Sequence, residues 1–210
     1  MKVSIINYGL SNLLSVQRAA EFCGAEVEFV QTPEGVLAAQ RLILPGVGAF
    51  EDGMNGLAKL GLVDPIRQKA AGGTPLLGIC LGMQMLFDES DEFGVHKGLG
   101  LIPGRVERIP TLDIDGAPQR VPNIGWRALL PAHGSFAGTV LADVPERGEC
   151  YFVHSYEAKP QSDADRLANT PYGGRLICAA AQNGSVIGTQ FHPEKSGPVG
   201  LSILKAFLEL

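Results

Sequence analysis

The sequence predicts an α/β protein with a mostly parallel open sheet, helices on both of its faces and an antiparallel extension in the C-terminal half. In the first 90 residues, short apolar runs alternate with amphipathic stretches, which is the order expected for parallel strands joined by right-handed crossovers. The second half contains strand-like runs with no helical stretch between them. The 210 residues of the whole chain are enough for one well-buried domain, so we expect a single domain over 1–210.

The first half is predicted to hold the parallel strands and the helices that connect them. Apolar or alternating runs predict strands at 3–6, 26–29, 42–44 and 76–79. Apolar side chains three and four residues apart predict a helix over 13–23, with Ser11 or Asn12 as its N-cap and Gly24 at its end. Two further helical segments are predicted at 66–71 and 83–87.

The second half is predicted to be largely antiparallel. Strand-like runs occupy 101–109, 125–130 and 150–157. Asn183-Gly184, between apolar runs at 177–182 and 185–191, is the strongest hairpin signal in the chain. The amphipathic segment 197–210 predicts a C-terminal helix that closes the fold.

The composition excludes several classes of protein. Apolar residues make up 45% and charged residues 19%, which argues against disorder, and a net charge of −5 without a Lys/Arg cluster argues against nucleic-acid binding. No run approaches the roughly 20 apolar residues of a membrane span and the N-terminus lacks a secretory signal, so we expect a cytoplasmic protein with no membrane contact. The four cysteines form no CxxC pair, and we expect neither a metal nor a cofactor.

The sharpest chemical signal is Gly78-Ile79-Cys80-Leu81-Gly82, which follows a strand and precedes a helix. A turn this tight strains the central residue, and small neighbours relieve the crowding. The Cys80 sulfur would then stand clear of the sheet at a helix N-terminus, where the helix dipole favours a thiolate, and the Leu81 amide would point at a developing oxyanion. The alternative is that Cys80 is a buried small apolar residue in an ordinary turn.

A thiolate nucleophile needs a base, and the base needs an orienting acceptor. Among the four histidines, His96 and His133 lie in loop-like surroundings and His154 lies in a strand-like run. His192 is the best candidate because it ends a strand two residues before Glu194, and residues two apart in a strand share a face. The sequence therefore predicts a triad of Cys80, His192 and Glu194.

A second oxyanion donor is predicted in the turn that follows the third strand. Pro45-Gly46-Val47-Gly48 lies at a strand end, where ligands bind in open α/β sheets, and it can present the Val47 amide. A dinucleotide-binding loop is the rival interpretation, but the segment lacks the third glycine of that motif.

These motifs together resemble class I, triad-type glutamine amidotransferases: PGVGAF at 45–50, GICLGMQ at 78–84 and QFHPEKS at 190–196. NYGLSNLLSV near the start, GLGLIPG, VPNIGW and YFVHSY narrow the resemblance to one subfamily, the glutaminase subunit of imidazole glycerol phosphate synthase of histidine biosynthesis. The resemblance covers 2–210.

The resemblance implies a reaction and a substrate pocket. Cys80 would attack the side-chain amide of glutamine, with His192 as base and then acid and Glu194 as its orienting group. Ammonia would leave, and water would hydrolyse the glutamyl thioester to glutamate. The pocket for glutamine would be formed by Gly46, Gln84, Glu92 and the backbone around Ser155 and Tyr156.

The resemblance also implies a partner, a (β/α)₈-barrel cyclase subunit that receives the ammonia and forms a heterodimer with this chain. The cyclase would convert a phosphorylated ribulosyl formimino compound (PRFAR) to imidazole glycerol phosphate and an aminoimidazole carboxamide ribotide (AICAR). Asn12, Trp126 and Lys195 match interface positions, although Trp126 also fits a core or turn aromatic. We hypothesise that without the partner the Val47 amide turns away from the sulfur and hydrolysis is slow.

Three positions depart from the family's usual pattern. Asn7 stands where the family usually has Asp, Ser11 stands where Gly is common, and Asn123 stands where His is frequent. These departures put details of the partner-facing loops in doubt.

Three alternative functions remain open. The chain could be the glutaminase subunit of anthranilate or aminodeoxychorismate synthase, a cysteine peptidase or thiol hydrolase, or a regulatory subunit with a relic site.

Overall fold

The computed structural model of the chain describes residues 1–10 and 12–210. Ser11, which we named as a possible helix cap and as a departure from the family pattern, lies outside the described residues. Within those residues, no helix has both the length and the apolar character needed to cross a membrane.

The centre of the described chain is one eight-stranded sheet with the order β2-β1-β3-β4-β14-β13-β12-β9. Its first five strands are parallel: β1 (Lys2–Ile6), β2 (Glu26–Val30), β3 (Leu42–Gly46), β4 (Leu76–Cys80) and β14 (Val186–Thr189). The sheet continues with three antiparallel strands: β13 (Arg175–Asn183), β12 (Arg166–Tyr172) and β9 (Leu130–Pro131). The predicted mostly parallel sheet with an antiparallel extension is confirmed.

The predicted hairpin joins β13 to β14, with its turn one residue later than expected. Asn183 pairs with Val186, so the two turn residues are Gly184 and Ser185. Gly184 has φ of 57°, a left-handed conformation that glycine adopts without steric cost.

Six strands lie outside the large sheet in two small ones. One holds β5 (Phe87–Ser90), β6 (His96–Lys97), β7 (Ile102–Arg108) and β11 (Tyr156–Pro160), and the other pairs β8 (Asn123–Ala128) with β10 (Glu149–His154). The run predicted at 150–157 is therefore two strands, separated at Ser155 and belonging to different sheets. The strand runs were visible in the sequence, but their pairing partners are distant along the chain and leave no local signal.

The α-helices of the described residues are α1 (Leu13–Phe22), α2 (Pro33–Ala38), α3 (Phe50–Lys59), α4 (Val63–Ala71), α5 (Leu81–Met85) and α6 (Gly197–Leu208). We did not predict α2 or α3, and α3 contains two glycines, which lower helix propensity. The helix predicted at 83–87 begins earlier, directly after the strand, and ends at Met85. Asn12 does not cap α1 through its side chain, because its Oδ1 accepts from Ser15 Oγ at 3.1 Å instead.

The core lies in two layers, one on each face of the large sheet. Ile5 belongs to one apolar cluster and Ile6 to the other, because successive residues of a strand point to opposite faces. The first cluster packs under α1 and α6 through Val16 and Phe207. The second packs under α2 to α5, with Leu57 among its fully buried residues. Both faces of the sheet are therefore covered by helices. A ligand can bind at the edge of the sheet where the parallel strands end.

Candidate active site

Cys80 occupies a strained turn at the carboxyl end of β4. It is the last residue of the strand and the N-cap of α5, with φ of 56° and ψ of −109°. A Cβ on Gly82 would overlap the Leu44 carbonyl oxygen, and one on Gly78 would lie 2.7 Å from the Gly82 carbonyl oxygen. The chain can turn this sharply only because both positions are glycine.

The Cys80 turn borders a cavity of about 360 Å³. The predicted site residues that line it are Cys80, His192, Val47, Leu81, Gln84, Glu92, Ser155 and Tyr156. Gly46 does not line this cavity; it pairs with Cys80 across β3 and β4 and borders a narrower void beside Val47. A larger open cleft of about 790 Å³ lies elsewhere, and its described lining, which includes Arg67 and Lys159, contains neither cysteine nor histidine.

His192 lines the cavity and forms a buried pair with Glu194, which borders the narrower void instead. The Nδ1 atom of His192 lies 2.8 Å from Oε1 of Glu194, and the two side chains are 3% and 1% exposed. Because an ionised carboxylate only accepts, Nδ1 carries the proton of this bond. Nε2 is buried, with no hydrogen-bond partner among the described residues. The pair is therefore arranged with one nitrogen oriented by Glu194 and the other free for proton transfer.

The surroundings of His192 favour its protonated form. Burial disfavours the charge on the imidazole, but the interactions of the ring with Cys80 and Glu194 outweigh it and raise the pKa of His192 to about 9. The protonated form of His192 is therefore favoured at neutral pH, with the Glu194 oxygen as the partner of its Nδ1 atom.

We expect this raised pKa to appear in the pH dependence of stability. The folded state binds the His192 proton more tightly than the unfolded chain, whose pKa is near 6.5, so the contribution is complete below pH 6.5 and is lost as the pH rises to about 9. Thermal denaturation should show the wild type losing more stability than Glu194→Gln across this window. Parallel curves for the two proteins would contradict the assignment, since the remaining titrating groups are common to both.

The two proposed oxyanion donors differ in whether their N–H group already donates to a backbone carbonyl. The Leu81 amide is at the first position of α5, where a backbone N–H has no acceptor within the helix. The Val47 amide instead donates to the Leu10 carbonyl oxygen at 3.2 Å. Val47 is 39% exposed, and Gly48 beside it has φ of 99°. The Gly46–Val47 peptide must therefore rotate before its N–H can serve an oxyanion at Cys80.

Glu92 lies where it can hold a cationic group in the cavity. Its Oε2 accepts from the Phe50 amide at 2.7 Å, which fixes the carboxylate against the start of α3. Burial raises the pKa of Glu92, and the hydrogen bond from Phe50 opposes this only in part. A half-buried carboxylate of this kind gains from a cationic partner such as an α-ammonium group.

A buried polar cluster that the sequence did not point to borders the cavity at His154. Burial, only partly opposed by the hydrogen bond to the Tyr156 carbonyl, lowers the pKa of His154 to about 4, so its imidazole is neutral. Asn123, whose departure we assigned to the partner-facing loops, is instead fully buried beside it, with Nδ2 3.0 Å from His154 Nε2. Gln190 is also fully buried. The one available signal was a polar residue inside the apolar run 186–191.

Two of the three predicted interface residues are exposed, and the third borders the narrow void beside the site. Trp126 is 50% exposed and contacts Tyr151 edge-on at 6.1 Å between ring centroids, so it is a surface residue and not a core aromatic. Lys195 is exposed and directly follows Glu194. Asn12 borders the narrow void that also reaches Val47 and His192.

Comparison with known proteins identifies the family of this chain. The family described as glutamine amidotransferase class-I matches residues 4–210. Subunit HisH 1 of imidazole glycerol phosphate synthase from Legionella pneumophila (strain Lens) is 50% identical over 210 residues, covering 99% of each chain. Subunit HisH from Geobacillus thermodenitrificans is 46% identical over 206 residues, covering 98% of this chain and 94% of its own.

Solved structures share the fold. A crystal structure of a glutamine amidotransferase superposes with a TM-score of 0.74 at 20% identity, over 99% of this chain and 97% of the other. PurLQS from Thermotoga maritima superposes with a TM-score of 0.72 at 19% identity, over 99% and 97%. By the family match and the close relatives, this chain belongs to the class I glutamine amidotransferases and, within them, to the HisH subunits of imidazole glycerol phosphate synthase.

Proposed function

We propose that this chain hydrolyses L-glutamine to glutamate and ammonia at Cys80 and supplies the ammonia to a cyclase subunit in histidine biosynthesis. The observation that carries the proposal is the strained Cys80 turn, which borders a cavity that His192 also lines, with Glu194 hydrogen-bonded to the Nδ1 atom of that histidine. We also propose that residues 1–210 act as one glutamine amidotransferase domain in the cytoplasm.

The reaction proceeds through a thioester. The Cys80 thiolate attacks the side-chain carbonyl carbon of glutamine, and the carbonyl oxygen becomes an oxyanion that the Leu81 and Val47 amides stabilise. His192 donates its proton to the amide nitrogen as the C–N bond breaks, and ammonia leaves. His192 then takes a proton from water, whose oxygen attacks the thioester, and glutamate leaves as the thiolate reforms. Glu194 keeps the imidazole oriented and stabilises its charge.

The cavity provides a site for the amino-acid end of glutamine. Glu92 would receive the α-ammonium group, because its fixed carboxylate lies on the cavity wall. Gln84 and the backbone of Ser155 and Tyr156 line the same cavity and would bind the remaining polar atoms. Gly46 acts indirectly, because a Cβ there would lie 2.5 Å from the Tyr8 hydroxyl and displace the turn that carries Val47.

The partner is a (β/α)₈-barrel cyclase that converts PRFAR to imidazole glycerol phosphate and AICAR. Ammonia released into bulk water is diluted and protonated, so the reaction is useful only where a partner receives it directly. Trp126, Lys195 and Asn12 form the proposed docking surface. Trp126 exposes an apolar ring and contacts Tyr151, whose carbonyl oxygen accepts from the His192 amide. Lys195 directly follows Glu194, and Asn12 borders the void beside Val47.

The partner-free chain is expected to hydrolyse glutamine slowly. Its Val47 amide donates a hydrogen bond to the Leu10 carbonyl oxygen and so cannot stabilise the oxyanion. The loss of one oxyanion donor lowers kcat by about 10²–10³-fold. Adding the cyclase and PRFAR should therefore raise glutamate production by about that factor. The measurement is glutamate released from glutamine with the chain alone, with cyclase, and with cyclase plus PRFAR.

The same experiment tests the proposed partner and the proposed state of the partner-free site. Stimulation only when cyclase and PRFAR are both present supports the proposal. A high rate in the partner-free chain would contradict the inactive Val47 orientation. Stimulation by chorismate-using synthase subunits, with no response to the cyclase and PRFAR, would assign the chain to a sister amidotransferase.

A further inference from the structure

A row of buried side-chain amides lies directly behind the Cys80 sulfur. Gln190 Nε2 lies 3.8 Å from Cys80 Sγ, within reach of a hydrogen bond to sulfur. Gln190 Oε1 accepts from Gln84 Nε2 at 3.0 Å, and Gln84 Nε2 also donates to the Tyr156 carbonyl oxygen at 3.1 Å. Gln190 is fully buried and is not part of the cavity lining. It therefore contacts the sulfur from the protein side, away from the substrate.

The direction of these hydrogen bonds follows from the Tyr156 carbonyl. A backbone carbonyl only accepts, so Gln84 must turn its NH₂ group toward it. The same NH₂ group lies against Gln190, which must then present its oxygen to Gln84. The remaining end of the Gln190 amide is an N–H donor, and it faces Cys80 Sγ. Reversing either amide would place two oxygens or two NH₂ groups against each other.

The Tyr156 carbonyl is itself held by a second chain of hydrogen bonds with a fixed direction. Arg127 only donates, and its Nε lies 3.2 Å from Asn123 Oδ1, so Asn123 turns its NH₂ group to His154 Nε2. His154 then carries its proton on Nδ1 and donates it to the Tyr156 carbonyl oxygen at 2.8 Å. The two chains meet at this carbonyl, whose position is thereby fixed.

We propose that Gln190 is a further catalytic residue, whose amide N–H stabilises the Cys80 thiolate and is aimed at the sulfur by Gln84 and the Tyr156 carbonyl. The inference rests on the proposed function, since it concerns the nucleophile of that reaction. A protonated Cys80 finds an acceptor in the Val153 carbonyl oxygen 3.9 Å away, and the Gln190 N–H is an added donor for the ionised form. Hydrogen bonds to an ionised acceptor are the stronger kind.

The test is the pH dependence of Cys80 alkylation by iodoacetamide, located on its peptide by mass spectrometry. Gln190→Glu keeps an acceptor for Gln84 but removes the N–H and sets an oxygen against the sulfur. We expect the midpoint of alkylation to rise by about one pH unit, which is about tenfold slower alkylation below the midpoint. Gln190→Met, which removes the donor without adding charge, should shift it in the same direction by less. Gln182→Glu is the control, because it makes the same change at a glutamine whose Nε2 donates a hydrogen bond to the Gly184 carbonyl oxygen. It should leave the midpoint of alkylation unchanged.

Kinetics of the cyclase complex provide a second readout that a purely structural role would not produce. Because Gln190 lies outside the cavity lining, Gln190→Glu should lower kcat by about tenfold and leave the KM for glutamine within about twofold. Unchanged alkylation midpoints in both Gln190 variants, or a rise in KM with kcat unchanged, would overturn the proposal. The proposed function is tested separately: it fails if the wild-type complex releases no glutamate. In that case the alkylation experiment still reports whether Gln190 donates a hydrogen bond to the Cys80 sulfur.

Discussion

Replacing Cys80 with alanine is expected to abolish glutamate release by the cyclase complex, with a loss of at least about 10⁴-fold. No other described group on the cavity wall offers a sulfur nucleophile, and water cannot form the thioester. The fold should survive, because the hydrogen-bond contacts that Sγ makes with Gln190 and Val153 are long, at 3.8 Å and 3.9 Å. We expect a change in unfolding free energy of no more than about 1 kcal/mol, measured by urea denaturation.

Cys23→Ala is the matched control for this loss. Its half-buried sulfur lies 3.5 Å from the Leu201 carbonyl oxygen, at α6 and away from the cavity. The variant should release glutamate at the wild-type rate. Retained activity in Cys80→Ala, or equal loss in both variants, would remove Cys80 from the mechanism.

The position of the site could be predicted because parallel strands end together. The turns at Gly46 and Cys80 each follow an apolar strand, and the structure places these two residues opposite each other at the ends of β3 and β4. His192 follows β14, the next strand in the sheet, so its side chain reaches the same edge. Local signals and one topological rule were enough to predict that Cys80, His192 and Val47, which follows Gly46, line one cavity.

Hydrogen-bond direction and long-range pairing could not be predicted in the same way. Gln190 contacts Gln84, 106 residues away, and Asn123 contacts His154 across 31 residues. No periodicity in the sequence reports such contacts, and a buried glutamine in an apolar run looks like any other strand residue. The orientation of the Val47 amide depends in the same way on a contact with Leu10 across the fold.

Gly82→Ala is expected to be the most destabilising single substitution in the site. The added Cβ would overlap the Leu44 carbonyl oxygen of β3, which is backbone and cannot move aside like a flexible side chain. Either β3 or α5 must shift, and we expect a loss of more than about 3 kcal/mol. In a chain of this length that corresponds to a fall in Tm of at least about 6–12 °C in differential scanning calorimetry.

Gly72→Ala separates this steric effect from the general cost of adding a methyl group. Gly72 ends α4 with φ of −79°, and a Cβ there would have its nearest neighbours at 3.5 Å, an ordinary contact. Alanine at that position should leave Tm unchanged or raise it slightly, because it restricts the unfolded chain. Equal stability of Gly82→Ala and Gly72→Ala would mean that β3 and α5 do not approach as closely as described. The sharp turn that exposes the Cys80 sulfur would then lose its structural basis, since it depends on that close approach.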